Sequence, residues 1–201
     1  MRRLIGLIVV ALLIGSAAAE QIAPDTLVKN VTSDVLNIVS KDMDIQSGNT
    51  AKAIALVEAK LLPDFDFKRM TALAMGKEWR QASLDQQSAL TNEFRTLLVR
   101  TYSRALTAYK NQTIDYKPAK IAGDETDVTV RTEIKQPGAK SVSIDYAMEK
   151  SDSTWKVYDI TVSGISLVLS FRDQFGEEVH NGGIDGLIKT LHAKNVIKAS
   201  A

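Results

Sequence analysis

Hydrophobic residues between positions 24 and 76 recur at steps of three and four, which is the period of an amphipathic helix. Three helices are predicted in this part of the chain. The first begins at Pro24, because proline suits the first turn of a helix, and the second ends before Pro63. The third is expected to end at Gly76, since glycine readily adopts the backbone conformation that closes a helix.

A longer amphipathic helix follows. Ser83 and Gln86 have the spacing of a capping box, in which each side chain accepts a hydrogen bond from the other residue's backbone N–H group. An apolar stripe then continues to Tyr109, and Asn111 is predicted to mark the end of the helix. Three arginines point away from this stripe and are interpreted as a solvated surface, with partner docking as the alternative: Arg95, Arg100 and Arg104.

From about residue 112 the period of the hydrophobic pattern changes to two, which is typical of half-buried β-strands. Strands are predicted over 126–134, 141–149 and 155–162, with a further strand near 114–118. Turn-forming residues separate them. The pattern therefore predicts an antiparallel meander with one apolar face.

Alternation falters in the last of these strands. Trp155 and Val157 share one face, whereas Ile160 and Val162 share the other. A β-bulge inserts one extra residue into a strand and so shifts the alternation. A bulge near Tyr158 would therefore restore a single apolar face.

The segment after Gly164 is apolar on more than one helical face, so a single buried stripe does not describe it. We expect a helix directly after Gly164 that packs against the long helix and the sheet on one side. Its other side is expected to help form the wall of a cavity. After Phe175 the chain is predicted to return to helix.

The order of elements predicts an α+β fold, with a curved antiparallel sheet of about four strands packed on the long helix and an interleaved helical lobe. The helical parts are expected at about 20–80 and 164–201, and the long helix and sheet at about 83–163. More apolar residues are present than a plain core requires. An apolar cavity between the helices and the concave sheet is therefore a serious alternative to a fully filled core.

Residues 1–19 carry two arginines, an apolar run and then small residues, which is the pattern of a signal peptide. Ala17 and Ala19 predict cleavage before Glu20, leaving one mature domain over 20–201 that is soluble and exported to the periplasm. No cysteine follows the apolar run, which argues against a lipid-anchored lipoprotein. The chain has no cysteine at all, so a hydrophobic core must hold the fold without disulfides.

Charge and motifs exclude several classes of function. The whole chain has 25 Lys and Arg against 24 Asp and Glu, and without Arg2 and Arg3 the balance is 23 against 24. No basic excess therefore draws the mature part to nucleic acid. The two histidines, His180 and His192, lack the paired spacing of zinc ligands, so no metal site is expected. No G-x-S-x-G motif indicates a serine hydrolase.

The carboxylates offer weak candidates for acid–base chemistry. Asp64 and Asp66 flank Phe65, but acidic residues beside a proline more often cap a helix. Asp145 and Asp159 could form an acid–base pair if both faced a cavity. The simpler interpretation is that Asp145 and Asp159 lie on solvated faces of their strands.

Three segments resemble the MlaC/toluene-tolerance (Ttg2-type) family. Residues 65–102 contain F-D-F, then G-x-x-W-R, then EFRTLLVRTY. Residues 155–175 have the family pattern W-K-V-x-D-x-x-x-x-G-x-S-L-V-x-x-x-R-x-x-F. Residues 183–195, GIDGLIKTLHAKN, are similar to the C-terminal helix of the family. Together the three segments span most of the mature chain, in order.

The resemblance implies a periplasmic phospholipid carrier that maintains the lipid asymmetry of the outer membrane and is not an enzyme. It implies a cystatin- or NTF2-like lobe combined with a helical lobe, with a deep pocket for acyl chains between them. Phospholipid would be the cargo, and no cofactor is expected. The implied partners are an outer-membrane lipoprotein complex and the inner-membrane substrate-binding domain of an ABC transporter.

Eleven residues are predicted to form the wall of this acyl-chain cavity: Leu73, Trp79, Leu98, Tyr102, Val130, Ile144, Tyr146, Val157, Ile165, Val168 and Phe171. Two other classes of function remain open. A periplasmic enzyme of the isomerase or dehydratase type would need Tyr146, Asp145 or Asp159 at the cavity floor, with a raised carboxylate pKa. An exported chaperone or adaptor would have a filled core and an exposed apolar patch.

Overall fold

The computed structural model of the chain describes residues 22–110, 112–119, 124–136, 138–152 and 154–199. The predicted signal peptide and its cleavage site lie outside these residues, as does Asn111. Within the described residues, seven helical segments and five strands form an α+β fold, which confirms the predicted class. The last helical segment is kinked at Gly183, whose φ is 67°. In the described part of the chain, no helix is both long and apolar enough to span a bilayer.

The helices follow one another in two groups, on either side of the strands. The bounds are α1 Pro24–Val39, α2 Met43–Gln46, α3 Thr50–Lys60, α4 Phe67–Met75, α5 Leu84–Tyr102, α6 Arg104–Thr107 and α7 Arg172–Ala199. Short 3-10 turns connect them over Leu62–Asp64, Gly76–Gln81 and Leu169–Phe171. The strands are β1 Thr113–Tyr116, β2 Asp127–Lys135, β3 Val142–Ser151, β4 Thr154–Val162 and β5 Ile165–Ser166.

Local sequence chemistry sets the helix ends, as predicted. Pro24 occupies the first turn of α1. Asp66 caps α4 by accepting a hydrogen bond from a backbone N–H group, and Gly76 closes that helix with a φ of 62°. Ser83 and Gln86 form the predicted capping box at the start of α5.

The long helix ends earlier than predicted. It stops at Tyr102, where the Ser103 hydroxyl donates a hydrogen bond to the Val99 carbonyl. Such a bond from serine to the preceding turn favours a bend in the helix. The short helix α6 follows as a separate turn, so the apolar stripe that reaches Tyr109 is divided between two elements.

The five strands form one antiparallel sheet in the order β1-β2-β3-β4-β5, which confirms the predicted meander. Val157 of β4 lies opposite Met148, whereas Asp159 lies opposite Ala147, so Tyr158 is the extra residue of a bulge. The predicted bulge is therefore confirmed. It places the apolar residues on both sides of Tyr158 on one face of the sheet.

The segment after Gly164 is not the predicted helix. It forms strand β5 and a 3-10 turn, and the helix begins only at Arg172. The Asp159 carboxylate holds this shape, because it accepts hydrogen bonds from the Ser166 hydroxyl at 2.6 Å and the Val168 N–H group at 3.3 Å. These tertiary bonds keep the segment beside the sheet.

The apolar residues of that segment and of α7 pack on the long helix. Phe94 of α5 makes edge-on contacts with Phe171 and Phe175, with ring centroids 5.1 Å apart in each pair. Leu187 and Leu191 of α7 belong to the same buried cluster. The long helix therefore packs mainly on α7 and α4, and the sheet does not wrap around it as predicted.

Other elements cover the apolar face of the sheet. Val28 of α1 packs with Val130, Met148 and other residues of this face. Phe65, just before α4, bridges to Val157 of β4, and the Asp66 N–H group donates to the Val157 carbonyl at 2.9 Å. The chain between α3 and α4 is thus fastened along the edge of β4. This placement leaves space between the helices and the sheet.

Candidate functional site: two apolar cavities

Cavity A lies between α1, the turn before α4 and the apolar face of the sheet, and has a volume of about 200 Å³. Its helical wall comes from residues of α1 that repeat at helical spacing: Leu27, Val28, Val31 and Val35. Its sheet wall comes from β3 and β4: Tyr146, Met148, Val157 and Ile160. The amphipathic period of α1 and the bulge in β4 together produce this apolar lining.

Cavity B lies on the other side, between α3, α4, the end of α5 and the segment after β5. Its volume is about 160 Å³. The residues that line only this cavity are mainly apolar: Val57, Leu62, Phe67, Met70, Leu98, Val99, Tyr102, Ser103 and Leu167. The C-terminal part of α5 therefore faces β4 across a cavity.

Four side chains line both cavities and separate them: Leu61, Phe65, Leu106 and Ile160. We call this set the partition. All four are half-buried, since each faces open space on more than one side. An apolar cavity of about 150 Å³ in a protein core takes up a small hydrocarbon such as benzene. Each of the two cavities can therefore accept a segment of hydrocarbon chain.

The polar groups in cavity A are few. Tyr146 lies beside the side chains of Thr32 and Thr132, and burial raises the pKa of Tyr146 to about 12. Asp64 is half-buried at the edge of the cavity, and burial also raises the pKa of its carboxyl group. The rest of the lining favours apolar groups over charged ones.

In cavity B, Tyr102 is the polar residue nearest the surface. Its side chain is 37% exposed and also lines the cavity, which places it at the opening. Partial burial raises the pKa of its phenol. A ligand that enters cavity B therefore passes the aromatic ring of Tyr102, which is partly exposed to solvent.

The model of the family described as MlaC protein matches residues 29–193, which is most of the chain. This chain belongs to the MlaC family. The resemblance seen in the sequence motifs is thereby confirmed. The match covers α1 from Lys29 onward, the whole sheet, all of cavity B and most of α7, and it leaves out only Leu27 and Val28 of the cavity A lining.

A solved structure and two curated relatives are similar to this MlaC-family chain. The structure is a phospholipid-binding protein from Ralstonia solanacearum in complex with a phospholipid. It is 41% identical, with a TM-score of 0.80, and the match covers 87% of this chain and 98% of that one. The toluene tolerance protein ttg2D of Pseudomonas putida is 27% identical over 84% of this chain and 78% of its own length. The intermembrane phospholipid transport system binding protein MlaC of Haemophilus influenzae is 22% identical over 92% of this chain and 87% of its own.

Four of the predicted wall residues line the cavities of this MlaC-family chain. Tyr146 and Val157 lie on the sheet wall of cavity A. Leu98 and Tyr102 lie on the α5 wall of cavity B. Alternation along the strands and the stripe of α5 were the signals that identified them.

The other seven predicted wall residues lie elsewhere. Four of them pack in or against the buried cluster between α4, α5 and α7: Leu73, Trp79, Val168 and Phe171. Val130 is fully buried between α1 and the sheet, and Ile144 lies further along β3, opposite Thr132 and Val162. Ile165 is 65% exposed because β5 turns it away from the core. None of the seven lines cavity A or cavity B.

Sequence reasoning missed the partition and the contribution of α1. Leu61 and Phe65 lie in the connection between α3 and α4, and Leu106 lies on a four-residue helix, where periodicity carries little information. The stripe of α1 was visible, but its pattern alone did not indicate whether it faces a filled core or a cavity. The available signal for the partition was Pro63, which follows the end of α3, together with the aromatic residue Phe65 just after it.

The carboxylates that an enzymatic mechanism would require do not meet at a cavity. Asp145 lies on the face of the sheet opposite Tyr146 and pairs with Arg131 at 3.7 Å. Asp159 lies on that same opposite face and bonds to Ser166. In the part of the chain that the structure describes, no cluster of three or more possible metal ligands occurs. His180 and His192 are both exposed.

Proposed function

We propose that this chain is a periplasmic phospholipid carrier that holds the acyl chains of its cargo in cavities A and B. The observation that carries the proposal is the pair of adjoining apolar cavities, in a chain that is 41% identical to a protein solved with a bound phospholipid. A periplasmic location rests on residues 1–19, which have the charged, apolar and small-residue regions of a cleavable signal peptide.

The energetics of lipid transfer explain why such a carrier is needed. The two tails of a diacyl lipid carry on the order of 30 methylene groups, each worth ~0.8 kcal/mol when removed from water. The total of roughly 20 kcal/mol makes passage through free water negligible. A carrier needs only an interior that matches the apolar environment of the bilayer, so that transfer in either direction is close to balance.

The geometry favours one acyl chain in each cavity, on either side of the partition. Both cavities are bounded by apolar side chains, and both are open enough to connect with the surface near half-exposed residues, Asp64 in one case and Tyr102 in the other. The glycerol and the head group would then remain at the surface. Moving a charged head group from water into the apolar interior would cost a large free energy of desolvation.

The proposed partners are an outer-membrane lipoprotein complex and the substrate-binding domain of an inner-membrane ABC transporter. Shuttling between the two would maintain the lipid asymmetry of the outer membrane. The sequence has no nucleotide-binding motif, so the direction of transport would come from these partners. The name of the Haemophilus influenzae relative, an intermembrane phospholipid transport protein, supports this role.

A substitution in the partition tests the proposal. Leu106→Trp on α6 places a bulky indole ring between the two cavities. The variant purified from the periplasm is expected to contain at least fivefold less bound phospholipid. Ala105→Trp introduces the same side chain on the same helix at an exposed position and serves as the control. Phospholipid is measured by solvent extraction and mass spectrometry, and circular dichroism checks the fold.

The carrier proposal predicts a loss of lipid in Leu106→Trp and an unchanged lipid content in Ala105→Trp. Equal lipid content in the wild type and both variants would show that the lipid is bound outside the cavities.

A further inference from the structure

Asp64 is the one carboxylate on the walls of cavities A and B. Among the residues that the structure describes, its side chain has no hydrogen-bond or ion-pair partner. Tyr146, by contrast, lies beside the hydroxyl-bearing side chains of Thr32 and Thr132. Partial burial disfavours the charged form of the Asp64 carboxylate, whose oxygens remain accessible to solvent or to an external partner.

A structural role does not account for Asp64. It ends the 3-10 turn Leu62–Asp64, and no side-chain cap occurs in that turn. The neighbouring Asp66 is the residue that caps α4, through a 2.8 Å bond from the Arg69 N–H group. Asp64 instead lines cavity A, together with buried apolar residues such as Val35 and Met148.

A cation stands beside this carboxylate. The Lys156 ammonium group donates a hydrogen bond to the carbonyl of Pro63, the residue before Asp64. Burial raises the pKa of Asp64, and the charge of Lys156 acts in the opposite direction. The two side chains do not form an ion pair with each other in the described structure. Cavity A therefore has one negative group on its wall, and a positive group lies nearby at the Pro63 carbonyl.

We propose that Asp64 binds the ammonium group of a zwitterionic phospholipid, while Lys156 lies beside the phosphate. Asp64 is then a specificity-determining residue for the head group. The ammonium would form a charge-assisted hydrogen bond with the Asp64 carboxylate, which Lys156 does not form. An anionic lipid with a glycerol head group lacks this charge and meets the negative carboxylate instead. This inference rests on the proposed function, because it assigns the head-group end of the same ligand.

The test is a competition between two lipids with identical acyl chains. The exported protein is stripped of lipid and incubated with vesicles of equal parts phosphatidylethanolamine and phosphatidylglycerol. It is then separated from the vesicles and analysed by native mass spectrometry. The wild type is expected to carry phosphatidylethanolamine in excess, and Asp64→Asn is expected to lower the ratio of the two lipids about fivefold, the size typical of a partly exposed charge pair.

Two further variants make the result specific. Asp64→Ser removes the same charge with a different side chain and should lower the ratio equally. Asp34→Asn removes a charge at an exposed position of α1 and should leave the ratio unchanged. Total lipid per chain should remain constant in Asp34→Asn, and in the Asp64 variants the ratio is taken per bound lipid, so that a change in total lipid does not alter the comparison.

The two proposals fail in different ways. A wild type that acquires no lipid would overturn the carrier function and this inference together. A wild type that binds both lipids equally, or an Asp64→Asn ratio equal to that of the wild type at normal lipid content, would overturn the role of Asp64 alone.

Discussion

At the residue scale, Tyr146 shows how a polar group is accommodated in an apolar wall. It lies beside Thr32 on α1 and Thr132 on β2, between the helical and sheet sides of cavity A. Burial disfavours the charged phenolate, which is why the pKa of Tyr146 rises to about 12. The residue is therefore both a lining group and a contact between two elements.

This shift predicts a loss of stability in alkali. The unfolded chain releases the Tyr146 proton near its ordinary pKa of 10.0, whereas the folded chain retains it up to about 12. The stabilising contribution is complete below pH 10 and is lost as the pH rises through 12, by up to about 1.4 kcal/mol per pH unit. Urea unfolding at pH 9 to 12 measures the slope of the free energy of unfolding against pH. Tyr146→Phe should show a shallower slope. Equal slopes in the two proteins would contradict this assignment.

Two neighbouring carboxylates show the limit of sequence reasoning at this scale. Asp64 and Asp66 flank Phe65, and both were interpreted as caps from their position beside Pro63. Asp66 does cap α4. Asp64 lines cavity A, and this difference depends on how the turn lies against β4. Local sequence identifies the type of group but not the direction in which the fold turns it.

At the element scale, the start of α5 is held by the capping box of Ser83 and Gln86. The Ser83 hydroxyl accepts from the Gln86 N–H group at 3.2 Å, and the Gln86 side chain accepts from the Ser83 N–H group at 3.0 Å. Both N–H groups would otherwise lack a partner within the helix. Since α5 carries one wall of cavity B and most of the contacts with α7, its N-terminal cap stabilises the core of the molecule.

Removing this cap has a predictable cost. Ser83→Ala is expected to lower the free energy of unfolding by about 1 kcal/mol. Ser88→Ala, at an exposed position inside the same helix, should have no destabilising effect, because alanine has the higher helix propensity. Urea unfolding followed by circular dichroism compares the two variants. A Ser83→Ala protein as stable as Ser88→Ala would show that the box contributes nothing.

The elements differ in how far the sequence predicts them. The starts of α1 and α5, the end of α4 and the bulge at Tyr158 follow from chemistry within a few residues, so pattern reasoning finds them. The segment after Gly164 follows instead from bonds between Asp159 and residues seven and nine positions later. An apolar run is compatible with either a helix or a buried turn, and only the tertiary bonds decide between them.

At the scale of the whole molecule, the cavities result from the way three packed clusters meet. The first comprises α4, α5 and α7, and the second comprises the sheet with the start of α1 on its apolar face. The third comprises the end of α1 with α2, α3 and α6, and it includes Leu61 and Leu106 of the partition. The connection from α3 to α4 is fastened to β4 through Phe65, and α5 faces β4 only across cavity B. A close-packed interior would leave no space of this size, since voids larger than a water molecule are few in ordinary cores.

The whole-molecule arrangement was the least predictable part of the site. Alternation along β3 and β4 identified Tyr146 and Val157, because the apolar face of a sheet can be read from its period. Trp79 and Phe171 were predicted to line a cavity but pack against the helical cluster, since a single apolar stripe does not indicate its partner. Which apolar surfaces meet and which remain apart is set by contacts between distant segments.

The central claim is that the cavities of this MlaC-family chain hold a phospholipid, and native mass spectrometry tests it most directly. The protein is purified from the periplasm without detergent, and its intact mass is compared with that of the protein after solvent extraction. A mass difference of one diacyl phospholipid per chain is the predicted result. A folded, stable protein whose mass does not change on extraction would contradict the claim.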